Sequence, residues 1–162
     1  MKKVVLPLSI DLIHKYKSGD FVEISGDIIV ARDQAHKRIF DSVKSGGISE
    51  IMLKNQIIFF AGPSPARPGK VIGSIGPTTS SRMEKYIPFM SEQGVTGFIG
   101  KGQLSKETLD KIKNKSIYFV TFGGFAALLS KYIIKSRILA YEDLGAESIL
   151  RLTVSNFPAV VY

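Results

Sequence analysis

Short apolar runs alternate along the chain with polar, glycine-rich and proline-rich segments. Residues 21–24 and 28–31 predict two short strands separated by a turn at residues 25–27, and the unbroken apolar run at 57–61 predicts a buried strand. The same pattern predicts further strands at residues 71–75, 96–99, 117–121, 138–141 and 150–154. The chain is therefore expected to contain many short strands.

Helical periodicity first appears at residues 33–43. Asp33 is placed to cap this helix, and Gly46 and Gly47 are placed to end it. Four apolar residues fall on one face of it: Ala35, Ile39, Phe40 and Val43.

Three more helices are predicted further along. Ser81 followed by Glu84 fits a capping box that opens a helix kinked near Pro88 and ended by Gly94. A capped helix at 105–113 follows, and then an apolar helix that reaches residue 129.

Alternation of strands with short helices is typical of an α/β domain with a mixed sheet and short flanking helices. The proline-rich segment 62–69 cannot form regular structure, and we interpret it as a stiff loop rather than a domain boundary. Residues 1–162 are thus expected to form a single domain. Several strands follow one another without a helix, which favours a compact β/β/α arrangement over a doubly wound sheet.

The absence of cysteine narrows the chemistry. Among 162 residues there are two histidines and no cysteine, which excludes disulfides, thiol nucleophiles and a cysteine-held iron–sulfur cluster within the chain. Any metal chemistry must come from outside. The start resembles a signal peptide only weakly because Pro7 interrupts it, and no apolar run is long enough to span a membrane. We expect a cytoplasmic protein.

A net charge of +8 admits nucleic acid, an anionic membrane or small acidic ligands as partners. Most of this charge comes from scattered lysines, and a solvated surface explains it more simply. No RNA-binding motif and no basic stripe interleaved with aromatic residues is present. An anion-binding or nucleic-acid-binding module remains as a remote alternative.

Residues 76–83 carry the most unusual composition, with four consecutive hydroxyl side chains followed by Arg82. They lie between a predicted strand and a predicted helix, where free amide groups and one bidentate cation favour a carboxylate or phosphate. A hydroxyl-rich helix cap with a surface arginine would explain the same residues.

Three further segments carry candidate chemistry. Arg32 stands at a strand end, a position that often faces a cleft in open α/β sheets, and His36 nearby is either a core residue or a catalytic group. Lys101 between two glycines either projects into a site or lies in an exposed turn. The pair Gly123 and Gly124 either binds an anion through its amides or allows close packing.

These motifs together resemble the β subunit of class I iron–sulfur hydro-lyases, which comprise class I fumarases and L-tartrate dehydratases. The resemblance rests on Ala31-Arg-Asp-x-Ala-His36, Gly76-Pro-Thr-Thr-Ser-x-Arg-Met83 and Ile99-Gly-Lys-Gly102. It continues through the paired glycines and Asn156-Phe-Pro-Ala159, and so covers essentially the whole chain.

The resemblance implies a swivelling β/β/α domain that closes over a [4Fe–4S] cluster held by three cysteines of a larger α subunit. The expected activity is the reversible hydration of fumarate to malate, with the open iron as Lewis acid. Arg32, Arg82 and Thr79 would bind substrate, Thr78 would be the base, and Lys101 would neutralise charge.

The same resemblance implies an enzyme that is inactive without its α partner and that assembles as a homodimer or heterotetramer. An apolar patch should stay exposed unless the α subunit or a second copy covers it. L(+)-tartrate dehydratase is the alternative activity, because the motifs do not separate the two substrates.

Overall fold

A mixed sheet organises the chain, whose computed structural model describes residues 1–46 and 52–162. The described strands are β1 (Lys2–Val5), β2 (Phe21–Val30), β3 (Ile57–Phe59), β4 (Gly97–Gly100), β5 (Ile117–Val120), β6 (Ile133–Ala140) and β7 (Ile149–Val161). The α-helices are α1 (Asp33–Lys44), α2 (Ile87–Glu92), α3 (Lys106–Ile112) and α4 (Ala126–Leu129). Short 3₁₀ helices span Ile10–Lys15, Ser80–Met83, Ser130–Tyr132 and Glu142–Glu147.

Five of the strands close into a barrel. β2, β3, β4 and β5 run parallel in that order, and β7 pairs antiparallel with both β5 and β2. β1 adds to β2 in parallel, and β6 adds to β7 in antiparallel orientation. The structure confirms the predicted α/β class with a mixed sheet and short helices.

Apolar residues that alternate along each strand build two cores. In β3, Ile57 and Phe59 point into the barrel, while Ile58 and the following Phe60 point outward against the helices. All four side chains are fully buried. A strand covered on both faces needs an unbroken apolar run, which is what the sequence shows at 57–61.

The prediction of two strands separated by a turn at 25–27 is wrong. Phe21–Val30 is one strand, and its pairing with β7 shifts register between Ile24 and Gly26. Gly26 adopts φ +124° and lies against Leu6, where a Cβ would come within 2.7 Å of the Leu6 Cβ. The glycine therefore forms a bulge rather than a chain reversal.

The predicted strand at 71–75 is also wrong. The Ser74 amide donates to Ser64 Oγ at 2.9 Å, and the Ser64 amide donates to the Ser74 carbonyl at 2.9 Å. Gly73 packs directly against the Ser64 backbone. This segment binds the proline-rich loop instead of a strand.

Helix boundaries agree with the sequence better than helix caps do. α1 and α3 lie where they were predicted, and Ser105 caps α3 by accepting from the Thr108 amide at 3.2 Å. Asp33 does not cap α1, because Arg32 occupies the N-cap position and makes no capping hydrogen bond. Helix α1 ends at Lys44, and Gly47 lies outside the described residues.

The capping box of Ser81 and Glu84 does not form. Glu84 instead accepts from the Ser105 amide at 3.0 Å and from Thr108 Oγ1 at 2.6 Å. Pro88 stands in the first turn of α2, where a missing amide is tolerated, so it begins a helix rather than kinking one. Gly94, at φ +97°, follows the end of α2 as predicted.

None of the helices in the described ranges is long and apolar enough to cross a membrane.

Candidate functional site

The candidate residues gather at one edge of the barrel. The parallel strands β2, β3, β4 and β5 all end at this edge, and each is followed by one of the segments singled out in the sequence. Arg32 follows β2, and Lys101 follows β4. Carboxyl ends of parallel strands are a common place for ligands, because the loops there converge.

Residues 76–83 lie across the ends of β3 and β4. Pro77 bridges Ala61, and Thr79 bridges Lys101. The Thr78 amide donates to the Phe60 carbonyl at 2.7 Å, and the Ser80 amide donates to the Lys101 carbonyl at 3.2 Å. These two amides are therefore occupied by the sheet and are not offered to a ligand.

Arg82 joins two of the candidate segments. Its Nε donates to Asp33 Oδ1 and its Nη2 to Asp33 Oδ2, each at 3.2 Å. The same Nη2 donates to Thr78 Oγ1 at 2.7 Å. Arg82 and Asp33 remain 52% and 39% exposed, so the pair is reachable from solvent.

Each charge of this pair stabilises the other. Burial alone would raise the pKa of Asp33, but hydrogen bonds from Arg82 and its positive charge outweigh that effect, and the pKa lies below its ordinary value. The hydrogen bond to Asp33 and its negative charge raise the pKa of Arg82. Both groups are ionised at neutral pH.

Arg32 lies against the neighbouring loop. Its Nε is 3.5 Å from Glu147 Oε1, and its guanidinium packs on Gly62, where a Cβ would lie 2.6 Å from the Arg32 Cζ. Glycine at this position is thus required for the arginine to occupy its place. The negative charge of Glu147 also makes a small contribution to raising the pKa of Arg82.

Lys101 and Thr79 complete the cluster. Thr79 is exposed, and the half-buried Lys101 extends its stem along Gly123, where a Cβ would lie 3.4 Å from the Lys101 Cδ. A side chain at position 123 would meet Lys101 only in ordinary van der Waals contact, so close packing does not explain this glycine. Gly124 has open space around it at φ +81°.

His36 is a core residue. It is fully buried, stacks on Tyr86 with ring centroids 5.7 Å apart, and places Nδ1 2.9 Å from the Arg32 carbonyl. Burial lowers its pKa to about 4, so the ring is neutral and can donate from Nδ1 to that carbonyl. The histidine fixes the backbone that carries Arg32.

Three side chains around the site were not identified as site residues from the sequence. Asp33 was assigned to a helix cap, although its place beside Arg32 in the motif was a usable signal. Glu147 and Tyr118 come from distant parts of the chain. The Tyr118 hydroxyl donates to the Gly102 carbonyl at 2.8 Å and bonds Ser80 Oγ at 2.9 Å, which ties residues 76–83 to the loop after β4.

The part of the chain that the structure describes shows no cluster of metal-binding side chains. Within residues 1–46 and 52–162, no three histidine, aspartate or glutamate side chains are grouped to hold a metal ion, and the sequence has no cysteine. The residues present therefore do not fit as ligands of a [4Fe–4S] cluster.

The comparisons with known proteins agree on one family. Residues 2–162 match the family described as fumarase C-terminus. The chain is 36% identical over 98% of its length to fumarate hydratase 2 of Leishmania major, and 32% identical over 99% to the anaerobic class I fumarate hydratase of Escherichia coli (strain K12). It spans only 29% of the length of each of these relatives.

A shorter relative has nearly the same extent as the chain. The putative L(+)-tartrate dehydratase subunit beta of Methanocaldococcus jannaschii is 34% identical over 92% of this chain, which spans 80% of that protein.

Proposed function

Since the chain belongs to the fumarase C-terminus family, we propose that it is the β subunit of a class I fumarate hydratase. In this role it binds the dicarboxylate and transfers the proton during the interconversion of fumarate and malate. The observation that carries the proposal is the Arg82–Thr78 hydrogen bond at 2.7 Å, which joins a carboxylate-binding cation to a hydroxyl able to exchange a proton.

In this proposal the two arginines, Arg32 and Arg82, bind the substrate. Arg82 binds Asp33, the residue that follows Arg32 in the chain, so the two arginines lie at one barrel edge, and a dicarboxylate presents two anionic groups to such a pair. Thr79, exposed beside Lys101, adds a hydroxyl donor. A guanidinium suits a carboxylate because its donors match the two oxygens.

Proton transfer falls to Thr78. In the direction from malate, the C–H bond next to one carboxylate breaks, its proton goes to the Thr78 oxygen in its ionised form, and the electron pair spreads into that carboxylate. Hydroxide leaves the neighbouring carbon as the double bond forms, and the proton that Thr78 then releases converts it to water, so malate gives fumarate plus water and Thr78 returns to its ionised form. Arg82 stabilises the ionised threonine, and Lys101 stabilises the charge on the substrate.

The cluster would belong to a partner. Because this chain has no cysteine, we propose a cysteine-bearing α subunit as the holder of the [4Fe–4S] cluster. The expected assembly is a homodimer or a heterotetramer, located in the cytoplasm. The separate β subunit of the Methanocaldococcus relative supports a two-chain enzyme.

L(+)-tartrate dehydratase is the second candidate. The relative that matches this chain in extent carries that description, whereas the fumarate hydratases are about three times longer than the matched region. The two substrates differ by one hydroxyl group, and both present the same two carboxylates to the arginines.

Anaerobic assay of the purified chain with its α partner tests the proposal. We expect the pair, and neither chain alone, to turn over malate faster than L-tartrate. Faster turnover of tartrate would identify the second candidate, and no turnover of either would overturn the proposed function.

A further inference from the structure

We infer that Asp33 is a positioning residue that holds Arg82 in the orientation in which it activates Thr78. The inference rests on the proposed function and extends it to a residue outside the set expected to touch substrate. It assigns a task to the acidic residue of the Ala31–His36 motif, whose predicted role as a helix cap the structure does not support.

The Arg82 guanidinium binds both Asp33 and Thr78. Asp33 binds its Nε and Nη2 side through both carboxylate oxygens, and Nη2 also donates to Thr78 Oγ1. In residues 1–46 and 52–162, no protein acceptor is bonded to Nη1, so this nitrogen remains available for a ligand. The plane of the guanidinium, and with it the direction toward Thr78, is set by Asp33.

The backbone that carries the Asp33 carboxylate is rigid. Asp33 is the first residue of α1, three residues after the last residue of β2. The Arg32 carbonyl before it is fixed by the His36 amide at 3.0 Å and by His36 Nδ1. Arg82 itself lies in a single 3₁₀ turn and is half exposed. An exposed arginine on a short turn samples many rotamers, and pairing with an anchored carboxylate removes that freedom.

A purely structural role for Asp33 is the alternative to exclude. An acidic side chain in the first turn of a helix is favoured by the helix dipole, and its loss would lower stability without acting through Arg82. The chain offers a matched control, because Arg38 forms a similar two-point pair with Asp143 at 2.7 and 2.8 Å, also between α1 and another segment.

The test is a double-mutant cycle in the complex of this chain with its α partner. Asp33→Asn keeps the size but replaces one acceptor oxygen with a donor that faces the guanidinium. We expect kcat for malate (or for tartrate, if that is the substrate) to fall at least tenfold. Asp33→Glu, which keeps both oxygens, should return kcat to within threefold of the wild type. In an Arg82→Lys background, Asp33→Asn should cost less than twofold, since the positioned group is already altered.

Stability and the control pair separate positioning from folding. Asp143→Asn should change kcat less than twofold, and the melting temperature should be similar for the Asp33→Asn and Asp143→Asn variants. Equal losses in kcat for both variants, an undiminished loss in the Arg82→Lys background, or unchanged kcat in Asp33→Asn would overturn the inference.

A readout that needs no turnover keeps this inference distinct from the proposed function. In ¹⁵N-labelled chain, the Arg82 Nε–H signal should exchange slowly with solvent and lose that protection in Asp33→Asn. If the wild-type complex turns over neither malate nor tartrate, the proposed function fails. Unprotected Arg82 in the wild-type chain would instead contradict the Asp33 contact itself.

Discussion

Each arginine assigned to carboxylate binding already has an acidic neighbour in this chain. Asp33 binds Arg82 at two points, and Glu147 lies 3.5 Å from Arg32. In the proposed function these carboxylates hold the cations in place before the dicarboxylate binds, which lowers the entropy cost of forming the bound geometry. The basic residues were predictable from local motifs, whereas Glu147 was not, because only the folded chain brings its segment to the Arg32 side chain.

His36 makes stability depend on pH. The unfolded chain takes up a proton at this residue near its ordinary pKa of 6.5, but the folded chain does so only near pH 4. Stability from this group is therefore present above about pH 6.5 and lost as the pH falls toward 4. The difference corresponds to roughly 3 kcal/mol.

Chemical denaturation at pH 7 and pH 4 checks this expectation. The wild type should lose about 3 kcal/mol more unfolding free energy over this range than His36→Gln. The exposed His14 supplies the control, and His14→Gln should behave as the wild type does. Identical pH dependence in the wild type and His36→Gln would contradict the burial argument.

At the level of elements, the site depends on how residues 76–83 are seated on the sheet. Strand positions were predicted well where both faces are buried, as at 57–61. The caps at Asp33 and at Ser81 and the strand at 71–75 were wrong, because Asp33, Glu84 and Ser74 each have a better partner in another segment of the chain. The local sequence pattern does not reveal partners that only the fold brings into contact.

Gly100, the last residue of β4, tests this seating. A methyl group there would overlap the Ser80 hydroxyl oxygen and lie 3.1 Å from a Phe60 ring carbon. We expect Gly100→Ala to push residues 76–83 off the sheet and to lower kcat/KM of the complex on its preferred substrate at least tenfold, with a lower melting temperature.

A second substitution makes the reason explicit. Ser80→Ala removes the overlapping oxygen. Gly100→Ala should therefore lower kcat/KM less in the Ser80→Ala background than it does in the wild type. Additive losses in the double variant would show that the Ser80 contact is not the cause.

On the scale of the whole molecule, an apolar patch lies beside the site. Phe122, Phe125 and Leu128 are 44%, 55% and 44% exposed, next to the glycine that contacts Lys101. Such a patch on a chain without cluster ligands is suited to a partner that brings them. The chain has no cysteine, and its candidate cations share one barrel edge. The proposed function therefore assigns the cluster to the partner and the cations to this chain.

Association with the α partner should depend on this patch. Phe125→Ser is expected to weaken the Kd for the α subunit at least tenfold by removing apolar area from the interface. Ile134→Ser, at a residue 52% exposed on β6, is the matched control and should leave the Kd unchanged. Calorimetric titration in which only the Ile134 variant weakens binding would place the interface elsewhere.

The most direct test of the central claim is kcat/KM of the complex for malate and L-tartrate in arginine variants. Arg32→Ala and Arg82→Ala should each lower the value for the preferred substrate on the order of 100-fold, because each removes a charge-assisted contact to a carboxylate. Arg137→Ala, on β6, should lower it less than twofold. Wild-type values in both site variants would contradict the assignment of this barrel edge to dicarboxylate binding.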